Sequence, residues 1–179
     1  MKQKGRKKTL EELFEEVAQG ARERDKAIKE LSAEVKKVTN DYGNVSNNMG
    51  QVAEDYFYTG LETQKQLNGI QFDTVAKNVR DPQRNEWDIV CTNGDVVAVL
   101  EVKQKPHEND VDKFVDTMLP QFRASFPIYD KYKLLGGIAG MTIPENVAEK
   151  AQNKGLFVLS QKNKHFKVLN STGFTPKVF

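Results

Sequence analysis

With 179 residues the chain is long enough for one cored domain and an appendage, and its 29% charged against 38% hydrophobic content suits a body joined to a solvated helix. A formal net charge of +2 excludes a broadly basic coat for nucleic acid and makes any basic surface local. The single cysteine, Cys91, excludes an internal disulfide, no Cys/His cluster has zinc-ligand spacing, and no apolar run follows the basic N-terminus or is long enough for a bilayer. A reducing, cytoplasmic location away from membranes is expected.

Residues 1–8 form a basic arm with Lys2, Lys4, Arg6, Lys7 and Lys8, either a solvated tail or a phosphate contact. Thr9-Leu10-Glu11-Glu12 is a capping box, so a helix starts here. Its apolar residues, from Leu10 and Phe14 through Val17, Ala21, Ile28, Leu31 and Val35 to Val38, alternate spacings of four and three, with Arg24 the one polar member. A helix of about 30 residues reaches about 45 Å and has one apolar stripe to bury. The expectation is a coiled coil that makes the chain a homodimer; the alternative is a lone helix folded back on the body. Asn40-Asp41-Tyr42-Gly43-Asn44 is rich in turn formers and predicts a break. The expected division is an arm and coiled coil over 1–43, a core domain over 44–170 and a tail over 171–179. Ser46 or Asn47 is expected to cap a second helix, whose apolar positions Met49, Val52, Ala53, Tyr56, Phe57 and Leu61 suit packing on a sheet. Glu54 lies beside that stripe.

A first strand is expected over 71–79, then a turn at Arg80-Asp81-Pro82-Gln83-Arg84. Two β-rich runs then flank Asn93-Gly94, a dipeptide suited to a tight hairpin with positive φ. Val96 to Leu100 is unbroken apolar, as in a strand buried on both faces, and ends in Glu101-Val102-Lys103. Alternation sets Glu101 and Lys103 on one face. Asp88 lies on the partner strand among Trp87, Ile89 and Val90. A two-residue Asn93-Gly94 loop pairs residues whose numbers sum to about 187, which leaves Asp88 near Val99 and one or two pairs from Glu101. Two carboxylates at the buried end of a hairpin repel and are poorly solvated, and a hard divalent cation relieves both costs. Lys103 can orient or deprotonate a metal-bound water, or meet the charge on a phosphate. The alternative is a structural Glu101–Lys103 salt bridge with Asp88 solvated.

Asp88, twelve intervening residues, then Glu101-Val102-Lys103 resembles the motif of the PD-(D/E)XK nuclease superfamily, with Trp87 at the loosely kept proline position. The resemblance implies a restriction-endonuclease-like α/β core, a mixed central sheet flanked by helices, and Mg²⁺- or Mn²⁺-dependent hydrolysis of phosphodiester bonds in nucleic acid, DNA foremost. It also implies roles: Asp88, Glu101 and the Val102 carbonyl on the metal, Lys103 at the attacking water, and Glu54 as the acid the first core helix often adds. An exposed helical glutamate is the alternative for Glu54.

Pro106 is expected to end the strand, and Asn109 or Asp110 to cap a helix bearing Val111, Phe114, Val115, Met118 and Phe122, kinked or broken at Pro120. His107 and Gln104, just past the motif, are within reach of substrate. Gln121 is not carried over as part of an exonuclease-type motif, because the tyrosine that would accompany it is missing. Leu134 to Met141 reads as a glycine-rich strand whose Gly136, Gly137 and Gly140 permit close packing and form no phosphate loop. A helix from Pro144, a strand over 156–160 and an edge strand over 165–169 complete an α/β order. A coiled coil before such a core is similar to an uncharacterised prokaryotic group. A reading of another class also fits: a non-catalytic assembly or nucleic-acid-binding module on the same fold.

Overall fold

The computed structural model describes residues 8–163 and 165–179; apart from Lys8, the basic arm lies outside them. By its contacts the chain divides into two units, one ending at Ser46 and the other Asn47–Phe179.

Helix α1 (Leu10–Gln64) starts where the capping box places it, with the Thr9 N–H donating to Glu12 Oε2 at 2.8 Å and the Glu12 N–H to Thr9 Oγ1 at 3.3 Å. The expected break at 40–44 is absent, and neither Ser46 nor Asn47 begins a new helix. Residues such as Asn, Asp and Gly each cost up to about 1 kcal/mol inside a helix. Stopping and restarting would instead leave up to about eight backbone groups without partners and require a second nucleation. With no proline in the segment, continuing is the cheaper solution. Among the described residues no helix is long and apolar enough to cross a membrane.

Within the second unit a six-stranded mixed sheet runs in the order β3 (Thr74–Arg80), β4 (Glu86–Thr92), β5 (Val96–Lys103), β6 (Lys133–Gly140), β7 (Phe157–Lys162), β8 (His165–Val168). β3, β4 and β5 are antiparallel, β5, β6 and β7 parallel, and β8 returns antiparallel at the edge. The first strand starts later than expected, at Thr74, because residues 66–71 close a small separate hairpin of β1 (Gln66–Leu67) and β2 (Ile70–Gln71).

Each face of the sheet carries its own core. Ala53, Phe57 and Leu61 of α1 pack on one face with Ile89, Cys91, Ala98, Leu100 and Val102. Met49 and Val52, expected to join them, are exposed, whereas Tyr56, also expected, packs half-buried against this core. The other face holds Val90, Val97 and Val99 against α2 (Glu108–Lys113), α3 (Leu119–Ser125) and α4 (Glu145–Asn153). α2 is capped by His107 rather than Asn109 or Asp110, with the His107 N–H donating to Asp110 Oδ2 at 2.7 Å. Pro120 does not break the helix: a π-helical turn over Phe114–Met118 joins α2 to α3, and the Leu119 N–H reaches back five residues to Phe114 O. The wider turn makes room for a ring that an α-helical carbonyl would meet. Gly136 permits the close packing read from the sequence, since a Cβ there would lie 2.6 Å from Leu156 and 2.9 Å from Leu119. The expected tail is docked. Phe174 and Phe179 pack against the two cores, and the Phe179 N–H donates to Leu134 O at 2.9 Å.

Candidate functional site at the end of the central hairpin

The β4–β5 register decides how the two acids meet. Ile89 pairs with Leu100 and Thr92 with Val97, so paired numbers sum to 189 rather than 187. The reason is a side chain: Asn93 Oδ1 accepts from the N–H groups of Asp95 (2.9 Å) and Val96 (2.8 Å), while its own N–H donates to Val96 O. The turn therefore centres on Gly94-Asp95, and neither Asn93 nor Gly94 takes a positive φ. A shift of two residues preserves every face and brings Asp88 opposite Glu101.

Beyond Ile89–Leu100 the regular ladder ends, and Asp88 inserts its carboxylate between the strands. Its Oδ2 accepts the Val102 N–H at 2.7 Å. In a strand the N–H and C=O of one residue leave by the same edge, so the Val102 carbonyl is directed to the Asp88 side as well. Two features shape this strand end. Trp87 packs into the helix-covered core although Ile89, two residues on, faces the opposite one, so alternation is broken around Asp88. Across from it, Asn78 has a φ of 54° and interrupts the pairing between Lys77–Ile89 and Val79–Trp87. Trp87 is 1% exposed, stacks edge-on against Phe122 and Phe126, and donates its indole N–H at 3.3 Å to Met118 O, the last carbonyl of the π turn. Trp87 thus pins the strand end that carries Asp88.

Glu101 is 7% exposed and paired with the Lys103 ammonium. Burial, and then the Glu101 charge, push the Asp88 carboxyl up to about 7, against the opposing pull of the Val102 N–H and Lys103. Burial works against the Lys103 charge, but Glu101 and Asp88 outweigh it, so its pKa is raised and it stands as an ammonium. Asp81 is a useful contrast. It is as buried as Glu101, yet hydrogen bonds from Asn85 and from Ser125 Oγ (2.7 Å) overcome the cost of burial and hold its carboxyl below the usual range. Asp81 is a satisfied structural acid; Asp88 is crowded by a second one.

Asp88, Glu101, Val102 and Lys103 are therefore brought together, at the carboxyl end of a strand that runs parallel to its neighbour. Glu54 is drawn in more loosely. Its carboxyl is raised by burial and then by Glu86, and it shares electrostatic influence with Lys103 and Asp88. Among the described residues no three His, Cys, Asp or Glu side chains form a metal-holding group. Glu86 was missed from the sequence; it lies two residues before Asp88 and pairs with Arg80 at 2.7 Å. Its place two residues from Asp88 on one strand was the available signal. His107 sits apart from the acids, in a groove of about 510 Å³ with Lys105, Asn109 and Asn146. Cys91 is fully buried and its thiol is pushed up to about 12 by burial, an inert core residue.

A hard divalent cation fits this donor set. Burial and the Glu101 charge raise the cost of ionising Asp88, and one backbone carbonyl is directed to the same edge. No family model, curated protein or solved structure matches the chain.

Proposed function

We propose that the chain is a Mg²⁺- or Mn²⁺-dependent phosphodiesterase of the PD-(D/E)XK type, with a restriction-endonuclease-like core, that cleaves DNA in the cytoplasm. The observation that carries this reading is the insertion of Asp88 between the strands opposite Glu101, with an upward-shifted carboxyl and a lysine ammonium next door. A mixed sheet with helices on both faces and the paired acids at a strand end supports it.

Asp88, Glu101 and the Val102 carbonyl would hold the ion, which when bound supplies positive charge to the scissile phosphate and acidifies its water. Lys103, held as an ammonium, donates hydrogen bonds rather than taking a proton. Its role is to orient the attacking water and to meet the charge that builds on the phosphoryl oxygens. Glu54, at the edge of the pair, supports the site through water or through its charge. Trp87 holds Asp88 in place from behind.

Two measurements on the full chain test this. Calorimetric titration with Mn²⁺ should show binding in the parent and its loss in Asp88→Asn. DNA cleavage in millimolar Mg²⁺ should fall at least about 1,000-fold in Asp88→Asn and in Lys103→Ala. Equal cleavage by parent and variants would remove these residues from the mechanism; no binding at millimolar Mn²⁺ would leave a non-catalytic binding module.

A further inference from the structure

The unexplained feature of the first unit is a row of large apolar side chains in water. Ile28 and Leu31 are each 61% exposed, Val35 57% and Val38 67%. Single exposed apolar residues are ordinary; a row at fixed phase is not. Because α1 continues through 40–44, the four-three alternation also continues without slip from Val38 to Tyr42, Val45, Met49 and Val52, all exposed. The residues that predicted an interruption therefore extend the seam.

The side chains along this seam say what covers it. Ile28 and Val35 occupy the set of positions where branching at Cβ favours two strands, and the complementary set holds Leu10 and Leu31 among valines such as Val17 and Val38. In a parallel pair the positions beside the seam that face each other are Gly20 with Asp25, Ala27 with Ser32, Glu34 with Thr39, and Asp41 with Ser46, so no two like charges meet. Arg24, the one charged seam residue, donates only to its own helix at Gly20 O (3.1 Å). In an in-register parallel pair its layer holds the other copy's Arg24 and Asp25, so a carboxylate from across the interface answers the repulsion between the two arginines.

We propose that a second copy of this chain covers the seam, in a parallel, in-register two-stranded coiled coil whose register is set by Arg24 against Asp25 of the other copy. The inference is independent of the phosphodiesterase reading and needs none of its residues.

Sedimentation equilibrium of the full chain should give twice the 20.3 kDa chain mass. Leu31→Asp combined with Val38→Asp should weaken association by at least about 100-fold, since it sets unpaired charges in the seam. Register is read separately. Val38→Cys should cross-link two copies on mild oxidation, Ala33→Cys on the outer face should not, and the parent should not, because Cys91 is buried. A single-chain mass at every concentration overturns the proposal, as does a mass above two copies. A two-copy mass without the Val38→Cys cross-link overturns the parallel register.

Discussion

The two units break the same rule in opposite directions. The first, ending at Ser46, leaves Leu31, Val35 and Val38 in water, while the second buries Glu101 and partly buries Asp88. Hydrophobic burial alone would move both sets. The difference teaches what each surface lacks: apolar side chains left outside need another apolar surface, and acids drawn inside need positive charge. Within the second unit Asp81 sharpens the point. A buried acid with enough donors is part of the scaffold, whereas one crowded by a second acid points to a site.

The largest effect should come from exchanging the roles of exposed and buried aromatics. Phe122→Ala removes a fully buried ring packed on Trp87 and should cost the second unit about 3–5 kcal/mol, whereas Phe14→Ala, at a position 71% exposed, should leave it within about 0.5 kcal/mol. Thermal unfolding followed by near-ultraviolet circular dichroism checks both, and comparable losses would dissolve the contrast.

Asp88→Asn should come next, with the opposite sign. The folded carboxyl, at about 7, lies above its ordinary value near 3.8, so the native state holds the extra proton between those two pH values. Stability from this group is complete below about pH 4 and is lost as the pH rises through 7. Without divalent cations the Asn variant should therefore exceed the parent by roughly 2–4 kcal/mol at pH 8 and match it near pH 4. Urea unfolding at the two pH values measures the difference; a parent more stable than the variant at pH 8 would mean that the two acids do not oppose each other. Glu54→Gln should have the smallest effect. It removes a minor upward influence on Asp88, so the Asp88 titration followed by carbonyl NMR should move slightly down, with stability changing by less than about 1 kcal/mol.

What was legible in the sequence was what rests on neighbours along the chain. The capping box at Thr9 and Glu12, the alternation of β5 and the Glu101–Lys103 spacing each depend on a few adjacent residues, and the structure forms all three. The hairpin register escaped because Asn93 spends its side chain on two backbone N–H groups, an option its identity permits but does not require. The false break at 40–44 came from weighing each residue's propensity alone, without the cost of ending a helix. The anchoring of Trp87 to Met118 joins segments about 30 residues apart, which no local pattern links. The influence of Glu86 on Glu54 acts between different elements, so only its two-residue spacing from Asp88 was visible along the chain.

The Trp87 anchor has a practical outcome. It is the chain's single tryptophan, sealed from solvent and adjacent in sequence to the acid at the centre of the site. Its emission therefore comes from one place only, a buried cluster with Phe122 and Phe126 behind the strand end that carries Asp88. The molecule carries a built-in optical reporter beside its paired acids, with no label attached.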